Sequence, residues 1–140
     1  MILVKKSKDL KFGFSQESIV LEKLKKTWPN LKKTKNRYCI YDFEDNENIF
    51  ELKSRKCNHN SFYDIMVSIN KVNCLLNSDK RGYLVYNFKD GIYFTEMTEE
   101  IIRLSRIEKF RRVNRGSGVD FETECLYIPN YLLTKLNDEF

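Results

Sequence analysis

What this chain lacks narrows it first. No run approaches the roughly 18 consecutive apolar residues that a membrane span needs, and the opening MILVKKSKDLKF has neither the apolar core nor the cleavage site of a secretory signal. An intracellular protein, in the cytoplasm or in the nucleus of a eukaryotic host, is the expectation. The cysteines Cys39, Cys57, Cys74 and Cys125 form no CxxC pair, which argues against a disulfide framework and against a structural zinc site. Cys57 with His59 supplies only half of a tetrahedral set. Internal repeats, low-complexity tracts and linkers are missing too. What remains is 140 residues, 41% hydrophobic and 32% charged, the composition of one globular domain spanning 1–140 and large enough to bury a core without staples.

Charge is present in excess and unevenly. The net charge is +5, and the bases gather in two clusters. One is Lys23, Lys25, Lys26, Lys32, Lys33, Lys35 and Arg37; the other is Arg103, Arg106, Lys109, Arg111, Arg112 and Arg115. Such clusters suit a polyanion, although a merely solvated basic face has the same composition.

Residues 1–14 lead in with room for one short strand. Ser15 is a fitting N-cap for a helix over 15–28, which Pro29 closes. Its apolar stripe is Val20, Leu21, Leu24 and Trp28, and Glu17 shares that inward face, whereas Glu22 falls on the wet side. A glutamate on a core-facing stripe needs a partner, unless its place in the first turn suffices. Apolar spacing over 61–76 predicts a second amphipathic helix carrying Lys71 off its stripe. Further on, 82–88 and 92–95 read as a hairpin and 98–104 as a short helix capped by Thr98. Residues 107–113 and 121–128 read as strands around the turn NRGSG, and Pro129 opens a last helix.

The most informative stretch is 37–55, RYCIYDFEDNENIFELKSR. Two strands, 38–43 and 49–54, flank the turn residues Asp45, Asn46 and Asn48. A loop over 45–48 pairs Glu44 with Ile49, Phe43 with Phe50 and Asp42 with Glu51. Directly opposed residues have Cβ atoms about 4.5–5.5 Å apart, and like charges there are destabilising. Alternation puts Glu51 and Lys53 on the face of Asp42. Two carboxylates held this close repel unless a proton or a cation lies between them, and a hard divalent ion with oxygen ligands neutralises both. An exposed hairpin face has the same residues without any such role.

The order helix, strand, strand, helix, strand, with Glu17 on the helix, Asp42 on the hairpin and the tripeptide Glu51-Leu52-Lys53, resembles the PD-(D/E)xK superfamily of restriction-endonuclease-like nucleases. The run from DF to ELKSR and the following INK are most similar to small nuclease-like proteins of bacteriophages and large DNA viruses, over residues 13–88. Tyr41 stands where the family name has proline. The resemblance implies a single α/β domain with a central mixed sheet flanked by helices. It implies Mg²⁺ or Mn²⁺ on Asp42, Glu51 and the Leu52 carbonyl, with Glu17 joining directly or through water. Lys53 would orient the attacking water, and Lys71, Arg55, Lys56, Arg111 and Arg112 would contact nucleic acid, DNA rather than RNA. A homodimer is compatible with it. The rival expectation is a nuclease fold that grips nucleic acid or a protein without cutting. Gly91-Ile92-Tyr93 also suggests a GIY-type nuclease, but no YIG partners it, Tyr127-Ile128-Pro129 being a poor substitute, so the tripeptide is read as chance.

Overall fold

Successive side chains of a strand point to opposite faces, so a strand that is apolar on both must be covered on both. A computed structural model describes residues 16–34, 41–113 and 120–137, with backbone alone for 111–113 and 120–122. Residues 16–24 form helix α1. The strands are β1 (Lys32–Lys33), β2 (Phe43–Glu44), β3 (Asn48–Ser54), β4 (Asp64–Ser68), β5 (Arg81–Phe88), β6 (Gly91–Glu96), β7 (Arg106–Val113), β8 (Asp120–Pro129) and β9 (Thr134–Lys135). Two more helices, α2 (Ile69–Leu76) and α3 (Glu99–Arg103), complete the order.

The fold is α/β with a mixed central sheet of order β1-β2-β3-β5-β6-β9, in which β3 and β5 run parallel, and a second sheet of order β4-β8-β7. The central sheet is a middle layer. On one face Phe50, Tyr83, Val85 and Ile92 pack against Val20 and Leu24 of α1 and against Leu31. On the other, Ile49, Leu84, Tyr86 and Phe88 meet Val72 and Leu75 of α2 and Val67, Leu126 and Ile128 of the second sheet. Trp28 anchors the first face, its ring 4.8 Å from that of Phe50 and 5.7 Å from that of Phe94, both edge-on.

The hairpin forms in the expected register, Phe43 opposite Phe50 and Glu44 opposite Ile49. Its turn is held by the Asp45 carboxylate, which accepts from the backbone N–H groups of Glu47 (2.8 Å) and Asn48 (2.7 Å). The β5–β6 hairpin, the capped helix α3 and the strands β7 and β8 also match the sequence reading. Gly91 closes the β5–β6 turn at φ 144°, a conformation that favours glycine. The strand expected over 38–43 is shorter than read, since residues 41–42 are not extended into it and β2 is only Phe43–Glu44; its residues 38–40, residues 1–15, the NRGSG turn and Arg115 lie outside the described residues.

Three helix assignments need correction. The regular part of α1 ends at residue 24 and passes into turns before Pro29. Residues 61–76 are not one helix. Within DIMVS, Ile65 and Val67 are buried and Met66 between them is only half-buried. A two-residue alternation was hidden inside an i, i+3, i+4 series, and β4 pairs Ile65 with Ile128 and Val67 with Leu126. Only then does extended Ser68, accepting from the Lys71 N–H, start α2. The last expected helix is a single turn at Asn130–Leu132 followed by β9. Leu133 and Leu136 would share a helix face, yet each joins the core on a different side of the sheet, so the segment wraps the β6 edge. Among the described residues no helix is long and apolar enough to cross a membrane.

Candidate active site

The site grows from one edge of β3. Because β2 begins only at Phe43 while β3 runs on to Ser54, the β2-facing groups of β3 beyond Phe50 need other partners. Asp42 supplies them. Its N–H donates to the Phe50 carbonyl at 2.8 Å, and its carboxylate Oδ2 accepts from the Leu52 N–H at 2.7 Å. The N–H and C=O of one strand residue point to the same side, so the Leu52 carbonyl faces this edge as well.

Glu51 and Lys53 project toward α2. Glu51 is only 4% exposed, and Lys53 Nζ lies 3.4 Å from its Oε1. Lys71, in the first turn of α2, hydrogen-bonds that same oxygen. From α1, Glu17 comes near enough for its charge to act on the Asp42 carboxyl and raise its pKa, and neighbouring acids repel unless a proton or a cation lies between them. Lys33 stands 3.5 Å from Glu17. Glu22 is exposed.

The charges press on one another in a partly dry place. Burial, reinforced by Glu17, pushes the Asp42 carboxyl above the ordinary range despite the Leu52 N–H and Lys71. Burial raises Glu51 as well, with the Asp42 charge adding to it against Lys71 and Lys53. Lys53 is pushed down by burial and by Lys71. For Lys71 burial acts in the same direction, but the Glu51 hydrogen bond, with Lys53 beside it and the charges of Glu51 and Asp42, outweighs it and holds its pKa up. Two carboxyls displaced upward beside a lysine displaced downward is a pattern shared by functional sites and buried ion-pair networks.

The sequence-expected residues are placed as follows. Asp42, Glu51, Leu52, Lys53, Glu17 and Lys71 are brought to one edge. Lys71, expected at a phosphate, engages Glu51 in this structure. Lys53, Lys71 and Arg55 line a cleft of about 330 Å³ completed by Ser68, Asn70 and Thr123. Arg55 and Lys56 are exposed just past β3. Arg111 and Arg112 lie in β7 opposite Glu122 and Phe121, and their side chains are outside the described residues. Lys33 stands out in the sequence only as a member of the first basic cluster, and Ser68 and Asn70 have no part in the expected site; for Ser68 the cap pattern before INKVNCLL is the signal available.

Among the described residues no three His, Cys, Asp or Glu side chains group as a metal cage. The oxygen donors that a divalent ion could use here are the Asp42 and Glu51 carboxylates with the Leu52 carbonyl. Two carboxylates and several waters are a usual environment for Mg²⁺. Neither the family models nor the curated proteins compared with this chain give a match.

Proposed function

We propose that this chain is a metal-dependent nuclease that hydrolyses phosphodiester bonds of DNA. One observation carries the reading: the Asp42 carboxylate is fixed to the Leu52 N–H beside buried Glu51, with Lys53 on the same strand 3.4 Å from Glu51. Asp42, Glu51 and the Leu52 carbonyl would hold Mg²⁺ or Mn²⁺, with Glu17 steadying Asp42. When bound, such an ion polarises a phosphoryl oxygen and lowers the pKa of coordinated water.

The protein's own groups do the rest. Lys53, already poised by burial toward its neutral form, orients a water or donates to charge developing on the phosphate. Lys71 guards the carboxylates: its ammonium neutralises Glu51 and lies close enough to lower the Asp42 pKa. Arg55, on the wall of the adjoining cleft, adds a fork that suits a backbone phosphate.

The Lys71 contact also favours a second reading. A lysine that satisfies Glu51 is what a fold retained for grip alone would keep, binding nucleic acid or a protein without cutting. The two readings separate on Glu51→Ala. Metal-dependent cleavage of DNA by the wild type, abolished in that variant, supports the nuclease; DNA binding with no cut product in Mg²⁺ or Mn²⁺ supports the module.

A further inference from the structure

The parallel pair β3 and β5 ends side by side, Ser54 opposite Asn87. Beyond it the chains stay joined, the Arg55 N–H donating to the Asn87 carbonyl at 2.9 Å and the Lys89 N–H to the Cys57 carbonyl at 2.9 Å. The carboxyl ends of parallel strands are where open α/β sheets bind their ligands. Here they open a second cleft, about 460 Å³, between α1 and the β5–β6 turn.

Its lining divides by chemistry. Lys23, Arg55, Lys56 and Lys89 ring it, and among the described residues no acid lines it. Gln16 and Asn87 contribute amides, already tied to each other at 2.8 Å. Ile19 and Phe88 give it an apolar wall. Ile19 is 49% exposed although apolar, and it lies off the buried stripe of α1. Arg55 lines this cleft and the catalytic one alike.

From this we infer that the second cleft seats one unpaired nucleotide of the bound strand, next to the phosphate that is cut. The inference rests on the nuclease reading and narrows its substrate to DNA with a single-stranded stretch. The volume falls within the range of small-ligand sites, roughly 300–1,000 Å³. A duplex, whose major groove alone is about 12 Å wide, does not enter it, whereas one splayed base does. The base lies on the Ile19–Phe88 wall with its edge toward the amides, and its flanking phosphates meet the lysines and Arg55. Apolar contact and backbone charge together bind single strands with little sequence preference.

The test is fluorescence anisotropy in EDTA, where no cleavage intervenes, with a labelled oligothymidylate and a labelled duplex. Ile19→Glu and Lys89→Glu are the variants, both at exposed positions, with folding checked by circular dichroism. Each should weaken oligothymidylate binding by about tenfold or more and duplex binding by less than about threefold. Unchanged oligothymidylate affinity in either variant, or equal loss on both probes, overturns the inference. Wild-type cleavage that persists in both variants on single strands sinks the cleft and leaves the nuclease standing. Binding that depends on Ile19 and Lys89 in a protein that cuts nothing does the reverse.

Discussion

Asp42 and Leu52 are joined by a 2.7 Å hydrogen bond from backbone N–H to carboxylate. The side chain of Asp42 thereby continues the β2–β3 pairing past the end of β2. One carboxylate thus does two jobs, closing a sheet edge and presenting charge beside Glu51.

The second job opposes stability. Burial and Glu17 raise the Asp42 pKa in the folded protein, so at pH values between the unfolded and folded pKa the native state binds more protons than the unfolded one. Its stability falls as pH rises through that window. Asp42→Asn keeps an acceptor for the Leu52 N–H and removes the charge. The variant should melt about 2–4 °C higher than the wild type at neutral pH, the shift that about 1 kcal/mol produces in a domain of this size. The gap should close in acid. Its Mn²⁺ binding by calorimetry should be lost.

Glu17 and Glu22 lie on opposite sides of α1. Glu17→Ala removes a charge that acts on Asp42 and should lower cleavage by about tenfold or more, while Glu22→Ala should leave it within about twofold. Equal losses in the two variants would count against the role given to α1.

Asp45 works in the other direction. Partial burial would raise its pKa, but the hydrogen bonds from Glu47 and Asn48, with Lys80 nearby, outweigh this and hold it below the ordinary value. Its contribution is therefore full above the unfolded pKa and lost as pH falls through the folded one. Asp45→Ala should destabilise by about 1–2 kcal/mol in urea at neutral pH. The difference from wild type should shrink below the ordinary aspartate range.

Gly82 ties the core to the site. A Cβ there would meet the Leu75 carbonyl oxygen at 2.6 Å and Leu75 Cβ at 2.7 Å, so Gly82→Ala pushes α2 off β5. The expected destabilisation is about 1–3 kcal/mol. Because α2 carries Lys71, the Lys71–Glu51 contact should loosen too, visible as a changed pH profile of cleavage and not only as a lower Tm.

Much of this arrangement was legible from residue types. Turn chemistry at Asp45 and Asn48 fixed the hairpin register, and the register put Glu51 and Lys53 on one face. The inward stripe of α1 singled out Glu17 over Glu22. What the sequence concealed was β4, since Ile65 and Val67 satisfy a strand and a helix period at once. Partner strand β8 decided between them, some 60 residues away along the chain. Without β4 the start of α2 at Ile69, which puts Lys71 in its first turn beside Glu51, was not legible. The second cleft was concealed for a related reason: it needs β3 and β5 parallel and adjacent, a pairing no local pattern encodes.

The central claim is that this edge of β3 cuts DNA with Lys53 orienting the attacking water or donating to charge developing on the phosphate. Purified wild type and Lys53→Ala should be compared in a gel assay on single-stranded, duplex and branched DNA, with Mg²⁺, Mn²⁺ or EDTA, alongside binding to the same DNA. Wild-type cleavage should require metal, and Lys53→Ala should lower it by about 10²–10³-fold while binding stays within about threefold, one lysine being a small part of the basic surface. Cleavage unaffected by Lys53→Ala, or no cleavage by the wild type in either metal, would contradict it.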